Sequence, residues 1–350
     1  MHLANSGKIL VVVHGPGRGR DVPTGRVFLS RLRETDPQFA RRLSVHATGS
    51  GPADLSGVAL VLFWLGDPLH LKYPECYAEA AAIADAARER RIPLLNPPEG
   101  LSNTSKAAQA AIWAGAGIPS AAARLVNSAD ELLSAYDKFN GDCLVRSNVE
   151  HTQRDVSILR SARDAHEASA NCAFPAVVIR LHDVRREYRA AGEDPHSLYA
   201  RFHHKARAFV FRDKVIPSHL FFSRSMIVGL DNSLFAREAR PRRRMARACG
   251  FRRDLFQEII DEDLRYFGSN LSCKPVLSRA VRELGLDFAA VDYSIRPDGS
   301  PILWEANPYF YLPAGQASVL STERHAVERV NQSLDWMAEQ LRAAVPELVA

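Results

Sequence analysis

The segment Asp287–Pro308, DFAAVDYSIRPDGSPILWEANP, constrains this chain more than any other stretch. Two apolar runs flank Asp298-Gly299, and Asp-Gly in that setting signals a two-residue hairpin turn. Counting outward from such a turn sets Asp292 directly opposite Glu305, and Asn307, two residues on, shares the face of Glu305. Two opposed carboxylates repel and destabilise a sheet, so something must compensate them. A divalent cation is the natural candidate. Oxygen ligands of this kind, two carboxylates and one amide, suit Mg²⁺ or Mn²⁺ and disfavour zinc. A second reading has both acids in solvent on an exposed hairpin, with Pro297 loosening the turn. The apolar neighbours Phe288, Val291, Ile302, Leu303 and Trp304 argue for a half-buried sheet, where stray acids are costly.

The rest of the chain reads as α/β (α+β). KILVVV, ending at Val13, and Ala59–Leu65 are buried strands, Glu75–Arg91 is an Ala-rich helix, and Ile92–Leu95 is a short strand. Strand, helix, strand in that order predicts a parallel unit, closed by the loop Pro97-Pro98-Glu99-Gly100. A helix over Ser105–Ala116 follows, with Gly117 and Pro119 as its stop signals. Asp130–Asn140 and Ser278–Leu284 read as further helices. Cys143–Arg146, Val156–Leu159 and Ala176–Leu181 read as strands, Lys205–Phe211 and Lys214–Phe222 as a hairpin. Apolar residues at 327, 330, 334, 337, 341 and 345 mark a C-terminal amphipathic helix.

Composition narrows the function classes. Lys and Arg exceed Asp and Glu by 45 to 40, a net charge of +5. That excess suits an anionic ligand such as a nucleotide and is too small to indicate nucleic acid. Five cysteines, widely spaced and without C-x-x-C, argue against a zinc site or a disulfide framework. No apolar stretch approaches the length of a membrane span, and the Ile9–Val13 run is too short for a signal peptide core. A cytoplasmic setting is the default expectation.

An apolar strand ending in Asp, a D-G turn, then an apolar strand ending in E-x-N-P resembles the metal-binding signature of the ATP-grasp superfamily, which includes D-alanine–D-alanine ligase, glutathione synthetase and biotin carboxylase. The resemblance is firm over 287–308 and extends in order over most of the chain. It implies an ATP-grasp fold with an N-terminal Rossmann-like pre-ATP-grasp domain over 1–100, a small lobe over 101–178 and a large lobe over 179–350. It further implies that Asp292, Glu305 and Asn307 hold two magnesium ions on ATP, and that Leu303 packs on the adenine. The backbone of Val178, Ile179, Arg180 and Leu181 would read the adenine edge. Arg207, with Lys205 beside it, would face the phosphates, and Lys106 would be the basic start of a helix. The implied reaction is ATP-dependent ligation of a small-molecule carboxylate to an amine through an acyl phosphate. Homodimerisation stays open.

Two departures from the family pattern stand out. Arg146 occupies a position where Lys is usual, keeping the charge and adding a fork. The loop Ser147–Gln153, expected to be Gly-rich, has no Gly, which keeps open a non-catalytic nucleotide-binding protein. The Arg-rich stretch 237–253 reads as a solvated face or as an anion or RNA patch, the latter keeping open an RNA-associated modifier. His14-Gly15-Pro16-Gly17-Arg18-Gly19 looks like a phosphate loop, but Arg20 stands where G-x-G-x-x-G needs its third Gly, so a structural turn is the plainer reading. In the family layout Arg18 or Arg20 would border the acceptor substrate. Tyr309-Phe310-Tyr311 reads as pocket lining or as a core plug.

Overall fold

Short runs of β-branched residues without polar alternation are strands covered on both faces, and the first sheet is built from them. A computed structural model describes residues 7–18, 23–150, 156–185, 201–229, 232–234, 255–296, 299–310 and 324–345. The elements run β1 (Lys8–Val13), α1 (Pro23–Thr35), α2 (Pro37–Ala40), β2 (Leu43–Ala47), β3 (Val58–Trp64), α3 (Leu69–Lys72), α4 (Pro74–Glu89) and β4 (Leu94–Leu95). The strands are all parallel in the order β2-β1-β3-β4. The chain thus winds outward in both directions from the β1–β3 pair, so the carboxyl ends of those two strands flank a topological switch point.

The helices α5 (Pro98–Ser102) and α6 (Lys106–Gly115) follow. The Ser105 side chain caps α6 by accepting the Ala108 N–H. The second sheet is antiparallel, in the order β5-β8-β6-β7. It comprises β5 (Ala123–Val126), β6 (Cys143–Ser147), β7 (Val156–Leu159) and β8 (Ala176–Arg180), with α7 (Ala129–Lys138) and α8 (Ala162–Asn171) between them in sequence. One face of this sheet forms a separate small core of Val126, Leu132, Cys143, Val145, Ala176 and Val178. β8 belongs whole to this sheet, so the expected boundary at 178/179 runs through a strand.

The third sheet, antiparallel in the order β10-β9-β11-β12, contains β9 (His203–Phe211), β10 (Lys214–Ser223), β11 (Phe288–Ile295) and β12 (Pro301–Asn307). Its helices are α9 (Leu255–Phe267) and α10 (Lys274–Glu283), and α11 (Arg324–Ala344) closes the described chain. Among the described residues no helix is long and apolar enough to cross a membrane. The Arg-rich stretch 237–253, Arg20 and Tyr311 lie outside the described residues.

The first and third sheets share a core. Ile9, Val11 and Trp64 pack with Phe209, Phe211, Phe288 and the α11 residues Val330, Leu334 and Met337. Asn96 makes the joint polar as well. Its fully buried amide accepts the Asp287 and Phe288 N–H groups and donates to the Phe288 carbonyl at 2.8–3.0 Å. Its φ of +50° is one that Asn tolerates better than Ala. Replacing Asn96 with Ala strands these backbone groups and is expected to cost about 3 kcal/mol, measurable as a lowered urea midpoint. A change under about 0.5 kcal/mol would show that water takes over those bonds.

Candidate functional site

Strand alternation splits β9 and β11 into two faces. One carries Ala206, Ala208, Val210, Val291 and Tyr293 into the main core. The other begins with Phe211 and Phe288, stacked at 6.1 Å, continues through Phe209 and Ala290, and then turns polar. At that point Glu305 (β12), Asp292 (β11), Arg207 (β9) and His219 (β10) are consecutive cross-strand partners, so one polar residue per strand forms a row across the sheet.

The pairing of Asp292 with Glu305 is as the sequence predicts, by a different route. Arg296 donates its N–H to Ser300, so the connection is one residue longer than a two-residue turn. A β-bulge at Trp304 absorbs the extra residue, because Tyr293 pairs with Leu303 while Asp292 pairs with Glu305. The bulge also changes which side chains share the face of Glu305. Leu303, expected on the adenine, is fully buried in the opposite, core face. Ile302 and Trp304 take its place, packing with Ile179, Ala121 and Val184. The Trp304 indole N–H donates to Ser294 Oγ at 2.9 Å, which fixes the ring on this face.

The charges of the row are compensated within the protein. Asp292 is fully buried, accepts from Arg207 through both carboxylate oxygens at 2.6 and 3.0 Å, and meets Lys205 Nζ at 2.9 Å. Burial alone would raise its carboxyl, but Arg207 and Lys205 hold it well below the usual carboxylate range. A cation is therefore not required to relieve the opposed carboxylates, which corrects the electrostatic argument drawn from the hairpin. Glu305, with its side chain 16% exposed, lies 4.0 Å from Lys106 Nζ.

Lys106 arrives from the buried first turn of α6, and Arg146 from the face of β6 that also presents Val177 and Ile179 on β8. Both cations donate to the Glu150 carbonyl, at 2.6 and 3.3 Å, and the Glu150 carboxylate pairs with Lys72 at 3.0 Å. Desolvation, with Arg146 adding to it, pushes the Lys106 ammonium down to about 8. Lys106 thus links the hairpin to a cluster at Glu150 that Arg146 and Lys72 also join. The described part of the Gly-free loop, 147–150, lies among these cations.

The segment whose backbone is expected to read the adenine edge, 178–181, spans the end of β8 and the residue after it. Val178 points into the small core, and Arg180 is exposed. The Arg180 and Leu181 N–H groups donate to the Ala122 and Asp142 carbonyls, so those two donors are committed within the protein. Of the four, Ile179 has its side chain against Trp304 and Ile302. At the other end of the hairpin Phe310 is a core plug stacked 4.9 Å from Phe209, whereas half-buried Tyr309 meets His14.

The donor set fits a hard cation at two of its three members. Asn307 Oδ1 is buried and has no hydrogen-bond partner among the described residues, the signature of an acceptor awaiting one. It shares a face with Glu305. Asp292 would have to share its oxygens with Arg207 and Lys205. Among the described residues no group of three or more His, Cys, Asp or Glu is arranged to hold a metal ion, so any ion here would rest on this mixed set.

Two buried histidines on the site's margins give a pH signature. Burial lowers His14 to about 4 and His204 to about 3. Both lie below the unfolded value, so the unfolded chain takes up protons first as pH falls. Stability is then fully present above about pH 7 and declines between about 6.5 and 4. Each group is expected to cost on the order of 2 kcal/mol at pH 5, read by urea unfolding at pH 7.5 and 5. Equal midpoints would show that neither imidazole is buried neutral.

No protein-family model matches the chain, and no curated protein does. Solved structures do. The ATP-grasp ligase PsnB in complex with precursor peptide PsnA2 and AMPPNP superposes with a TM-score of 0.54 at 15% identity, covering 97% of this chain and 98% of that one. D-alanine–D-alanine ligase from Bacillus anthracis in complex with ATP gives 0.50 at 16% identity, over 96% and 98%. A RimK domain ATP-grasp protein from Sphaerobacter thermophilus gives 0.50 at 12% identity, over 93% and 98%. These are likenesses of backbone over nearly full lengths, and together with the three sheets and the polar hairpin they establish that the chain has the fold of the ATP-grasp superfamily.

Proposed function

We propose that the chain is an ATP- and Mg²⁺-dependent ligase that joins a carboxylate to an amine. The observation that carries the reading is the polar row Glu305–Asp292–Arg207, faced by Lys106 and Arg146 from other parts of the chain. Cations converging on a cleft beside an orphaned amide oxygen suit a polyphosphate better than any neutral ligand.

In this reading Arg207, Lys205, Lys106 and Arg146 bind and orient the phosphates. A substrate carboxylate oxygen attacks the γ-phosphorus, the bond to the β-phosphate oxygen breaks, and ADP leaves. An amine then attacks the acyl carbon, loses its proton and expels phosphate. Little covalent work falls to the protein, so rate comes from position and from charge held in place. Glu305 and Asn307, with Asp292 beside them, would hold magnesium, which supplies charge neutralisation on the phosphate oxygens. Half-buried Ile179 and Trp304, packed over Ile302, offer an apolar surface for a base.

Support also comes from the neighbours. PsnB has been solved with a minimal precursor, Mg and ADP, and D-alanine–D-alanine ligase with ATP. The first acts with a peptide and the second is named for an amino acid, so the acceptor here is an amino acid or a peptide. The test is ADP release from Mg·ATP with a panel of amino acids, dipeptides and short peptides. The expected result is release that depends on one member of the panel and yields a product with a new amide. Tight ATP binding without turnover on any member would instead favour a non-catalytic nucleotide-binding protein, a reading that the Gly-free loop at Glu150 keeps in view.

A further inference from the structure

The switch point of the parallel sheet holds a polar group that the nucleotide site does not use. His14 follows β1, and Gly66 follows β3 by one residue. The Gly66 N–H donates to His14 Nε2 at 2.7 Å. The approach is close because residue 66 has no side chain, since a Cβ there would lie 2.8 Å from the Tyr73 ring and 3.0 Å from His14 Nε2. An imidazole nitrogen that accepts a hydrogen bond carries no proton, so in the neutral ring the proton sits on Nδ1. That Nδ1–H is buried and has no hydrogen-bond partner among the described residues.

His204 shows how such a ring is otherwise completed. Its Nε2 accepts the Ile295 N–H, and its Nδ1 lies 3.0 Å from the Val184 carbonyl oxygen, which takes the remaining proton. His14 has the first bond and lacks the second. Burial keeps His14 uncharged at neutral pH, so the unanswered group is a neutral donor.

The surroundings shape what can answer it. The Tyr73 ring lies 4.6 Å from the His14 ring and the Tyr309 ring 6.0 Å, edge-on. Tyr309 follows Asn307-Pro308 directly, so this corner continues the hairpin. Lys72 Nζ stands 5.9 Å over the Tyr73 ring and pairs with Glu150, whose carbonyl receives Lys106 and Arg146.

We propose that His14, Tyr73 and Tyr309 form an acyl-oxygen subsite, in which His14 Nδ1–H donates to a carboxylate or amide carbonyl oxygen of the substrate while the two tyrosine rings flank its planar group. The proposal rests on the ligase reading for its purpose, not for its geometry. A free carboxylate and a peptide carbonyl present the same oxygen, and they are separable by probe.

The experiment is ¹⁵N NMR of the full chain labelled at its histidine rings, with the His14 signal assigned as the one lost in His14→Phe. Alanine serves as the carboxylate probe and N-acetylalanine amide as the carbonyl probe. The expected result is a neutral His14 protonated on Nδ1 whose Nδ1 signal moves with one or both probes. Movement with alanine alone assigns an amino-acid carboxylate, and with N-acetylalanine amide a peptide carbonyl. A ring protonated on Nε2, or no movement with either probe, overturns the subsite.

Kinetics give a second readout. His14→Phe is expected to raise KM for the acceptor by about tenfold with Mg·ATP affinity unchanged. His14→Asn, which keeps a donor, is expected to recover part of the loss. An unchanged KM in His14→Phe also overturns the proposal. Failure of the wild-type chain to bind Mg·ATP would remove the ligase reading alone, because the NMR decides the subsite without turnover.

Discussion

Asp292→Asn is expected to destabilise the protein by about 3–5 kcal/mol. The carboxylate is fully buried and holds two cations, Arg207 and Lys205, whose own side chains are only 16% and 19% exposed. Removing the negative charge leaves both cations desolvated without the carboxylate that pairs them. The loss should appear as a large drop in the urea midpoint, in the absence of any nucleotide. A triple variant, Asp292→Leu with Arg207→Met and Lys205→Met, should lose less than Asp292→Asn alone, because it removes both cations along with the carboxylate that pairs them. A single-variant effect below about 1 kcal/mol would mean that water reaches the pair and screens it, and the row would then be a surface feature.

Glu305→Gln should behave in the opposite way. Its side chain is partly exposed, and Lys106 Nζ is 4.0 Å away, beyond hydrogen-bond reach. Stability should change by less than about 1 kcal/mol. Mg²⁺-dependent nucleotide affinity or turnover should fall by about 100-fold, the scale on which loss of a charge that stabilises a phosphoryl transfer site is felt. Calorimetric titration with Mg·ATP at several Mg²⁺ concentrations reads this directly. Unaltered Mg²⁺ dependence would place the metal elsewhere and remove Glu305 from the site. The contrast between neighbours is the informative part. Asp292 and Glu305 are cross-strand partners of the same chemistry, yet Asp292 is fully buried as a counter-ion and Glu305 is partly exposed.

Much of the fold was legible because it rests on local patterns. The strands β1 and β3 are continuous apolar runs and α6 carries its Ser105 cap, whereas the Asp292–Glu305 pairing read from the turn holds only because the bulge at Trp304 offsets a longer connection. Edge strands were not legible. β2 and β5 are short, half-exposed and border the sheets, so they carry neither an apolar run nor a clean alternation. The bulge at Trp304 was also invisible, and it matters most. It exchanges Leu303 for Ile302 and Trp304 on the face of Glu305, since a one-residue slip reverses every side chain beyond it. Lys106 and Arg146 could be named from the chain, but not their meeting at Glu150. His14 was passed over because a histidine before Gly-Pro-Gly reads as part of a turn. The available signal was its place, directly after a buried strand at the switch point.

The sequence by itself determined that this chain contains a hairpin with two opposed carboxylates and an amide, set among apolar residues and preceded by basic strands. Alternation and turn chemistry act over a few residues, so that information is local and can be read along the chain. What only the tertiary structure decided is how those charges are used. Arg207 is 85 residues from Asp292, and whether it or a metal offsets that carboxylate depends on which strands are neighbours. The division of the hairpin into a core face and a polar face depends on one bulge, and the tautomer of His14 on an amide 52 residues away. Electrostatic compensation and hydrogen-bond satisfaction are properties of groups brought within a few ångströms of each other, and only the packed chain specifies those distances.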